Sequence, residues 1–418
     1  MLLNGSFAAT PLDRESILQS SLDIVERVRT NPFPWGGQFS PQLVEELLNV
    51  YAPLDGVVLD PFVGSGTSLI EAARQGLAAD GIDINPAAVI LARVYEMANL
   101  SHDSRLAALD ELRQGLCEAI GRTSEVCGPL FEDQMLETPH RVELETALIE
   151  MWHQMPFGPA TNLAAALVIL CDFHRKHFEA NTVYKALRRL EQVILTLPET
   201  DQLIRVSHDD ARQLPIATDS VDMVLTSPPY INVHNYHQQF RRSAEALEHD
   251  VLSVVRSEIG SNRQNRGNRF LTVIQYSLDM TLALREMERV AKPEGRLILV
   301  IGRESKVRGT RFFNGEMVTE LASECVGLEV ERRQERVFRN RFGSYIYEDI
   351  IHLCPTGEVR SEECSLSMAR DISRQVLLAA RQLTSAKEIE GLDKAINQVG
   401  EVLPSPMIVP VETSRTPV

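Results

Sequence analysis

Val57-Val58-Leu59-Asp60-Pro61-Phe62-Val63-Gly64-Ser65-Gly66-Thr67 reads as a strand, a glycine turn and the start of a helix running through Leu69, Ile70 and Ala72. Gly64 and Gly66 let the backbone pass close to a ligand in conformations closed to other residues. The helix N-terminus that follows favours a carboxylate or a phosphate. The turn carries no P-loop lysine, which argues against a nucleoside triphosphate. Gly81-Ile82-Asp83-Ile84-Asn85 then ends a second strand on a carboxylate. That arrangement captures ribose hydroxyls in dinucleotide-type folds. The unit points to an open α/β sheet.

A third apolar run, Val221-Asp222-Met223-Val224-Leu225, leads into Thr226-Ser227-Pro228-Pro229-Tyr230. Neither proline has an N–H to give to a ladder, so the strand ends there in a stiff turn. In an open α/β sheet the carboxyl ends of the strands are where ligands bind. The Ser227 hydroxyl and the proline carbonyls offer a row of acceptors, followed by the aromatic face of Tyr230. Such a row suits a planar ring with an exocyclic amine.

Together the two segments resemble the DNA amino-methyltransferases, which use S-adenosylmethionine to methylate cytosine N4 or adenine N6. DPFVGSGT is similar to their cofactor motif and TSPPY to their catalytic motif. Asn31-Pro32-Phe33-Pro34-Trp35 through Gln38-Phe39-Ser40-Pro41 resembles the motif covering the methionine end of the cofactor. His208-Asp209-Asp210-Ala211-Arg212 resembles the adenine-contacting motif, with Asp209 in place of its usual glycine. The resemblance spans roughly residues 30–100 and 203–355. It implies S-adenosylmethionine held by Phe39, Asp60, Phe62, Gly64, Gly66, Thr67, Asp83 and Asp210. It implies catalysis at Ser227, Pro228, Pro229 and Tyr230. The substrate would be double-stranded DNA, with the target base flipped out because an amine inside the duplex is out of reach. Cytosine C5 chemistry needs a thiolate, usually after a proline, and no cysteine here follows one.

Composition agrees with a globular protein. The net charge of −16 argues at first against nucleic acid. Its distribution matters more. From Arg256 to Tyr345 there are 17 Lys and Arg against 12 Asp and Glu. Within that region, Ser261 to Arg269 alternates arginines with amides, which suggests phosphate contacts from Arg263, Arg266 and Arg269. A plain solvated loop is the competing reading. A second cluster, Arg332, Arg333, Arg336, Arg339 and Arg341, reads equally as the outer face of a hairpin. Six scattered cysteines with no C-x-x-C pair indicate neither a zinc ribbon nor a disulfide framework. His208, His234 and His237 read as polar loop residues, so no metal is expected. No apolar stretch is long enough for a bilayer, and no secretory signal is evident, so a cytoplasmic location is expected.

The organisation follows. Residues 1–101 form the cofactor-binding half of a Rossmann-like methyltransferase sheet with helices on both faces. Residues 102–202 are a mostly helical insertion, with Leu106, Leu109, Leu112 and Leu116 at helical intervals. Target recognition and dimerisation compete as its role. Residues 203–355 form the target-base half, ending in a β-hairpin over 327–353. Residues 356–418 are helices and, from Pro404, a disordered tail. Asn232, Asn235 and Tyr236 either line the DNA cleft or cap the next helix. Two other functions compete: an RNA base methyltransferase, and a non-catalytic cofactor-binding DNA-recognition subunit. A restriction or defence partner and the oligomeric state stay open, as does cytosine N4 against adenine N6, with the serine before the prolines leaning toward N4.

Overall fold

The computed structural model describes residues 5–120, 141–231, 236–260, 265, 267–339 and 343–407. The strands are β1 (Val57–Asp60), β2 (Ala78–Asp83), β3 (Ile204–His208), β4 (Val221–Thr226), β5 (Ala291–Gly302), β6 (Glu304–Val307), β7 (Thr310–Phe313), β8 (Glu329–Arg339) and β9 (Tyr345–Cys354). Seven of them form one sheet in the order β3-β2-β1-β4-β5-β9-β8, while β6 and β7 pair separately. The first five are parallel and β9 and β8 are antiparallel. This is the expected α/β sheet with its closing hairpin. Lys292 to Gly295 bulges out of β5 where its register to β4 shifts between Val221 and Met223.

Period-two alternation spreads each strand over two cores. Val58, Met223, Leu225, Ile298 and Val300 face one side. Leu59, Val224, Leu297, Leu299 and Ile301 face the other. Helices Pro41–Tyr51, Thr67–Arg74 and Pro86–Arg93 cover the first face, and Leu271–Val290 and Glu362–Ala380 the second. The strand order reverses between β1 and β4. In a doubly wound sheet this switch point opens a crevice at the carboxyl ends of the strands. The glycine turn leaves β1 there, and the Ser-Pro-Pro-Tyr turn leaves β4.

The insertion supplies helices His102–Ala119, Arg141–Gln154, Pro159–Cys171 and Ala180–Thr196. Pro159–Cys171 is buried almost throughout, packing among the other insertion helices and on Pro86–Arg93. The insertion's apolar faces thus extend the first core instead of standing exposed. No helix of the described residues is long and apolar enough to cross a membrane.

Three expectations need correction. The segment from Pro404 is docked as far as it is described: Ser405 is 4% exposed, and residues 408–418 lie outside the described residues. Its backbone and hydroxyl complete a buried polar cluster that no local pattern announces. His208 and His237 are not loop residues: one ends a strand and the other sits in the short helix Tyr236–Gln238. His208 ends β3, its Nε2 hydrogen-bonded to the Ile84 carbonyl at 2.9 Å, and burial pushes its pKa down to about 4. His237 is fully buried against Glu258 at 2.6 Å. His234 lies outside the described residues. Finally, Cys117 is disulfide-bonded although the spacing showed no framework; its partner lies outside the described residues. Cys171, Cys325, Cys354 and Cys364 are free.

Candidate active site

Asp60 anchors the site from below. Its Oδ1 accepts from the Thr226 hydroxyl at 2.6 Å and the Phe62 N–H at 3.1 Å. Its Oδ2 accepts from the Ser68 hydroxyl at 2.6 Å. One carboxylate thus joins the ends of β1 and β4 to the helix after the glycine turn. Burial raises its pKa to about 6, against the pull of these donors. Asp60 is 2% exposed and does not line the crevice. Its oxygens are engaged in holding the two turns.

Gly64 and Gly66 both have left-handed backbone, at φ +52° and +88°. Only Gly64 lines the crevice. A Cβ on Gly66 would come within 2.6 Å of the Tyr95 ring, so its lack of a side chain lets the turn pack against that ring. The Asp83 Oδ2 accepts from the Gly64 N–H at 2.9 Å and its Oδ1 from the Asn85 N–H at 2.8 Å. Burial raises the Asp83 pKa to about 7; these two N–H groups oppose the rise, while Asp60 and Glu258 add to it.

The segment before helix Pro41–Tyr51 straps across this turn. Gln38 Nε2 donates to the Ser65 hydroxyl at 2.5 Å and to the Phe33 carbonyl at 2.7 Å. Thr67 Oγ1 donates to Asn31 Oδ1 at 2.8 Å, and Asn31 Nδ2 to the Phe39 carbonyl at 2.6 Å. The strap and the strand ends enclose a cleft lined by Trp35, Gln38, Phe39, Phe62, Gly64, Thr67, Asp83, Asp210, Ser227 and Pro229. Its empty volume, open mouth included, is about 830 Å³. Tyr236 and Glu258 also line it. Tyr236 thus belongs to this cleft, and Asn232 and Asn235 lie outside the described residues.

Asp210 is held in place by Arg212, whose Nη2 reaches its Oδ2 at 2.6 Å. Arg212 also pairs with Asp279 at 2.9 Å and donates to the Ser405 carbonyl at 2.7 Å. The Asp279 carboxylate accepts from both the N–H and the hydroxyl of Ser405, at 2.8 and 2.6 Å. The docked segment around Ser405 therefore backs the wall formed by Asp210.

A second, larger cleft meets the first at Trp35, Gly37, Gln38, Phe39 and Ser227. Its empty volume is about 2470 Å³. Tyr230 lines this side, and Pro228 lines neither cleft. Arg27, Arg29, Arg189, Arg303 and Arg336 face it, with Phe338, Tyr345 and Tyr347 from the hairpin. Arg339 stacks on Tyr345 and Arg303 on Tyr347, 4.7 and 5.6 Å from the ring centroids. Of the expected DNA-contacting arginines, Arg263 and Arg266 lie outside the described residues, and Arg269 is half-buried and lines neither cleft. The basic lining comes instead from scattered positions. Arg189 arrives from the insertion and Arg27 and Arg29 from the N-terminal segment; no local run signals them. Arg336 belongs to the ambiguous hairpin cluster, and Arg341 lies outside the described residues. Among the described residues no group of His, Cys, Asp and Glu could hold a metal.

The strand order and the crevice at its switch point define a doubly wound α/β protein with a ligand cleft opening into a basic, aromatic groove. Residues 18–93 match the family model described as DNA methylase. The Type II methyltransferase M.MjaII of Methanocaldococcus jannaschii is 31% identical over 104 residues, 25% of this chain and 18% of that protein. The Type II methyltransferase M.ScaI of Streptomyces caespitosus is 45% identical over 47 residues, 11% of this chain and 16% of that protein. The chain thus matches less than a fifth of either relative's length. A SAM-dependent methyltransferase of Methanosarcina mazei superposes with a TM-score of 0.35 at 13% identity, covering 74% of this chain and 96% of its own. The PH0226 protein of Pyrococcus horikoshii superposes with a TM-score of 0.31 at 13% identity, covering 75% and 88%. Over residues 18–93 the chain is similar to the DNA methylase family.

Proposed function

We propose that this protein is an S-adenosylmethionine-dependent methyltransferase acting on an exocyclic base amine of double-stranded DNA, cytosine N4 ahead of adenine N6. One observation carries the reading: Ser227 lines both clefts. A methyl donor in the smaller cleft and a base in the larger one would meet at its hydroxyl.

The smaller cleft fits the cofactor. Gly64 has no side chain where the backbone must come close, Asp83 presents a carboxylate for ribose hydroxyls, and Phe39, Phe62 and Trp35 supply aromatic surface. Asp210 faces the same space as the acidic residue for the adenine end. The bound sulfonium would supply an activated methyl group. The chain's own contribution is to hold the amine. An exocyclic amine is a poor nucleophile because its lone pair is delocalised into the ring. Accepting a hydrogen bond from it, Ser227 draws electron density toward the nitrogen and fixes its approach. Most of the acceleration then comes from positioning and from stabilising the positive charge that develops. The arginines of the larger cleft suit phosphates, and Tyr230 and its neighbouring rings suit a flipped base.

Incubating the protein with tritiated S-adenosylmethionine and DNA, then digesting the product to nucleosides, tests the reading. Label in N4-methyl-2′-deoxycytidine is expected. Label in N6-methyl-2′-deoxyadenosine would change the base assignment, and no label in DNA would overturn the proposal.

A further inference from the structure

Of the five arginines that line the larger cleft, three already hold carboxylates. Arg29 takes Glu45 and Glu71, Arg303 takes Asp349, and Arg336 takes Glu348. Arg189 forms no ion pair among the described residues. It brings uncompensated charge to the cleft from helix Ala180–Thr196 of the insertion. Asn181, Lys185 and Arg189 recur at every fourth position and are all exposed, so they form one row along the helix. The row is roughly 12 Å long, about the rise of three or four base pairs. Lys185 too has no carboxylate within ion-pair distance among the described residues. Arg188, one position off the row, is by contrast taken up by Glu191 at 3.1 Å.

The loop before the helix adds to this charge. Its tip, His174-Arg175-Lys176-His177, is exposed. The residues on either side of the tip, Phe173 and Phe178, are buried at 1% and 6% exposure, with ring centroids 5.2 Å apart. Two rings thus close the base of the loop and leave the charges of the tip unused. The Arg141 guanidinium donates to the Phe173 and Arg175 carbonyls, the latter at 2.9 Å. Arg175 takes Asp172 at 3.5 Å, and Lys176 takes no carboxylate among the described residues. The loop's other carboxylate, Glu179, is the N-cap residue of the helix, where the macrodipole favours it. The loop sits at the rim of the clefts. The Phe173 N–H donates to Ser243 Oγ at 3.0 Å, and Phe240, just before Ser243, stacks on Trp35 with ring centroids 6.1 Å apart. Trp35 lines both clefts.

We propose that loop 172–179 and the Lys185 face of helix Ala180–Thr196 form a phosphate-binding surface that grips duplex DNA on one flank of the target base, outside the larger cleft. The proposal rests on the reading of the protein as a DNA methyltransferase, and it gives the insertion a part in holding the duplex. Three features select this partner. The surface carries unpaired positive charge in a chain of net charge −16. The Lys and Arg side chains are donors only, and the tip holds no apolar residue, which suits phosphate oxygens and not the apolar core of a protein interface. The surface is also continuous with Arg189, which faces the groove. Phosphate contacts carry no sequence information, so this surface sets affinity and register and leaves base reading to the cleft.

Binding to DNA of two lengths tests the proposal. The full-length parent and the K176A/K185A variant would be titrated by fluorescence anisotropy with duplexes of roughly 10 and roughly 30 base pairs, about one and three helical turns. The titrations would run between about 50 and 200 mM salt. On the long duplex the parent's affinity should fall about tenfold further across that range than the variant's, the effect of two released ions. On the short duplex, which the cleft alone accommodates, the two proteins should bind alike, and both should bind S-adenosylmethionine with the same Kd. K176A and K185A singly should each lose about one ion, which keeps the test open if the double variant is unstable. Parental salt dependence on the long duplex would overturn the inference. So would that dependence kept intact while sedimentation shows a changed oligomeric state, which would assign the face to assembly. A loss seen on duplex RNA and not on DNA would overturn it as well. A parent that binds duplex DNA but transfers no methyl to it would overturn the functional reading instead, because the salt dependence is read without methyl transfer.

Discussion

The Asp83 carboxylate accepts the Gly64 N–H at 2.9 Å, so the end of β2 and the glycine turn after β1 are held by a single side chain. Its second oxygen takes the Asn85 N–H at 2.8 Å. Asp83 therefore shapes the turn that a ligand must approach and also lines the cleft that would hold the ligand. Replacing Asp83 with Ala should weaken S-adenosylmethionine binding by about 3 kcal/mol, the scale of two charge-assisted hydrogen bonds. Calorimetric titration of the variant measures it, and an unchanged Kd would remove Asp83 from the cofactor site.

The same carboxyl makes the affinity depend on pH. Burial, with Asp60 and Glu258 nearby, raises its pKa to about 7 despite the Asn85 and Gly64 donors. Ribose hydroxyls bond best to the ionised form, so binding favours loss of the proton. Affinity should then rise with pH toward about 7 and level off above it, with a slope of up to about tenfold per pH unit below. D83N should bind weakly at every pH and lose this slope. Isothermal titrations from pH 5.5 to 8.5 on both proteins would show it.

Gly302 is required beneath Tyr230. Gly302→Ala would place a Cβ 2.7 Å from the Tyr230 ring, and the backbone of a sheet strand cannot yield far. Tyr230 must move, and methyl transfer should fall by about 10²-fold, the usual scale for misplaced catalytic groups. Cofactor affinity should stay near that of the parent because Gly302 lies only in the larger cleft. Single-turnover transfer and cofactor titration read the two effects separately.

Arg27 and Arg189 face the larger cleft from the N-terminal segment and the insertion. Changing each to Ala should weaken binding to all duplexes alike. Each removed phosphate contact should lower the salt dependence of the DNA affinity by about one ion. Fluorescence anisotropy at several salt concentrations reads the slope. A change of sequence preference with an unaltered slope would place these side chains at base edges instead.

The docked chain end should matter for stability. A chain ending at Leu403 loses the Ser405 donors to Asp279 and the Ser405 and Pro406 carbonyls that accept from Arg212. Stranding these buried charges should cost about 2–4 kcal/mol. Urea unfolding of the truncated and full-length proteins checks it. The wall bearing Asp210 should loosen too, weakening cofactor binding.

Local sequence was enough to determine the strands of the main sheet, the turns after β1 and β4 and the helical insertion, but not the separate pair β6 and β7. Alternation of apolar residues sets each strand, glycines set the turn after β1, and Pro228-Pro229 ends β4, all through forces acting within a few residues. Asp83 and Ser227 were legible for the same reason. Tertiary structure alone decided which of these pieces meet. Asp60 looks like a ligand residue in a motif, yet burial turns it into the clamp between β1 and β4. His208 and His237 look like polar loop residues, yet His208 ends a strand half-buried and packing buries His237 completely. Ser405 sits in a proline-bearing tail, and the buried Arg212–Asp279 pair gives it partners that no local pattern announces. Gly302, Glu348 and Arg336 form a row across the sheet because three strands pair in one register, with β9 lying between β5 and β8. No spacing along the chain encodes that row, since pairing across a sheet joins residues through hydrogen bonds between strands and not through sequence distance.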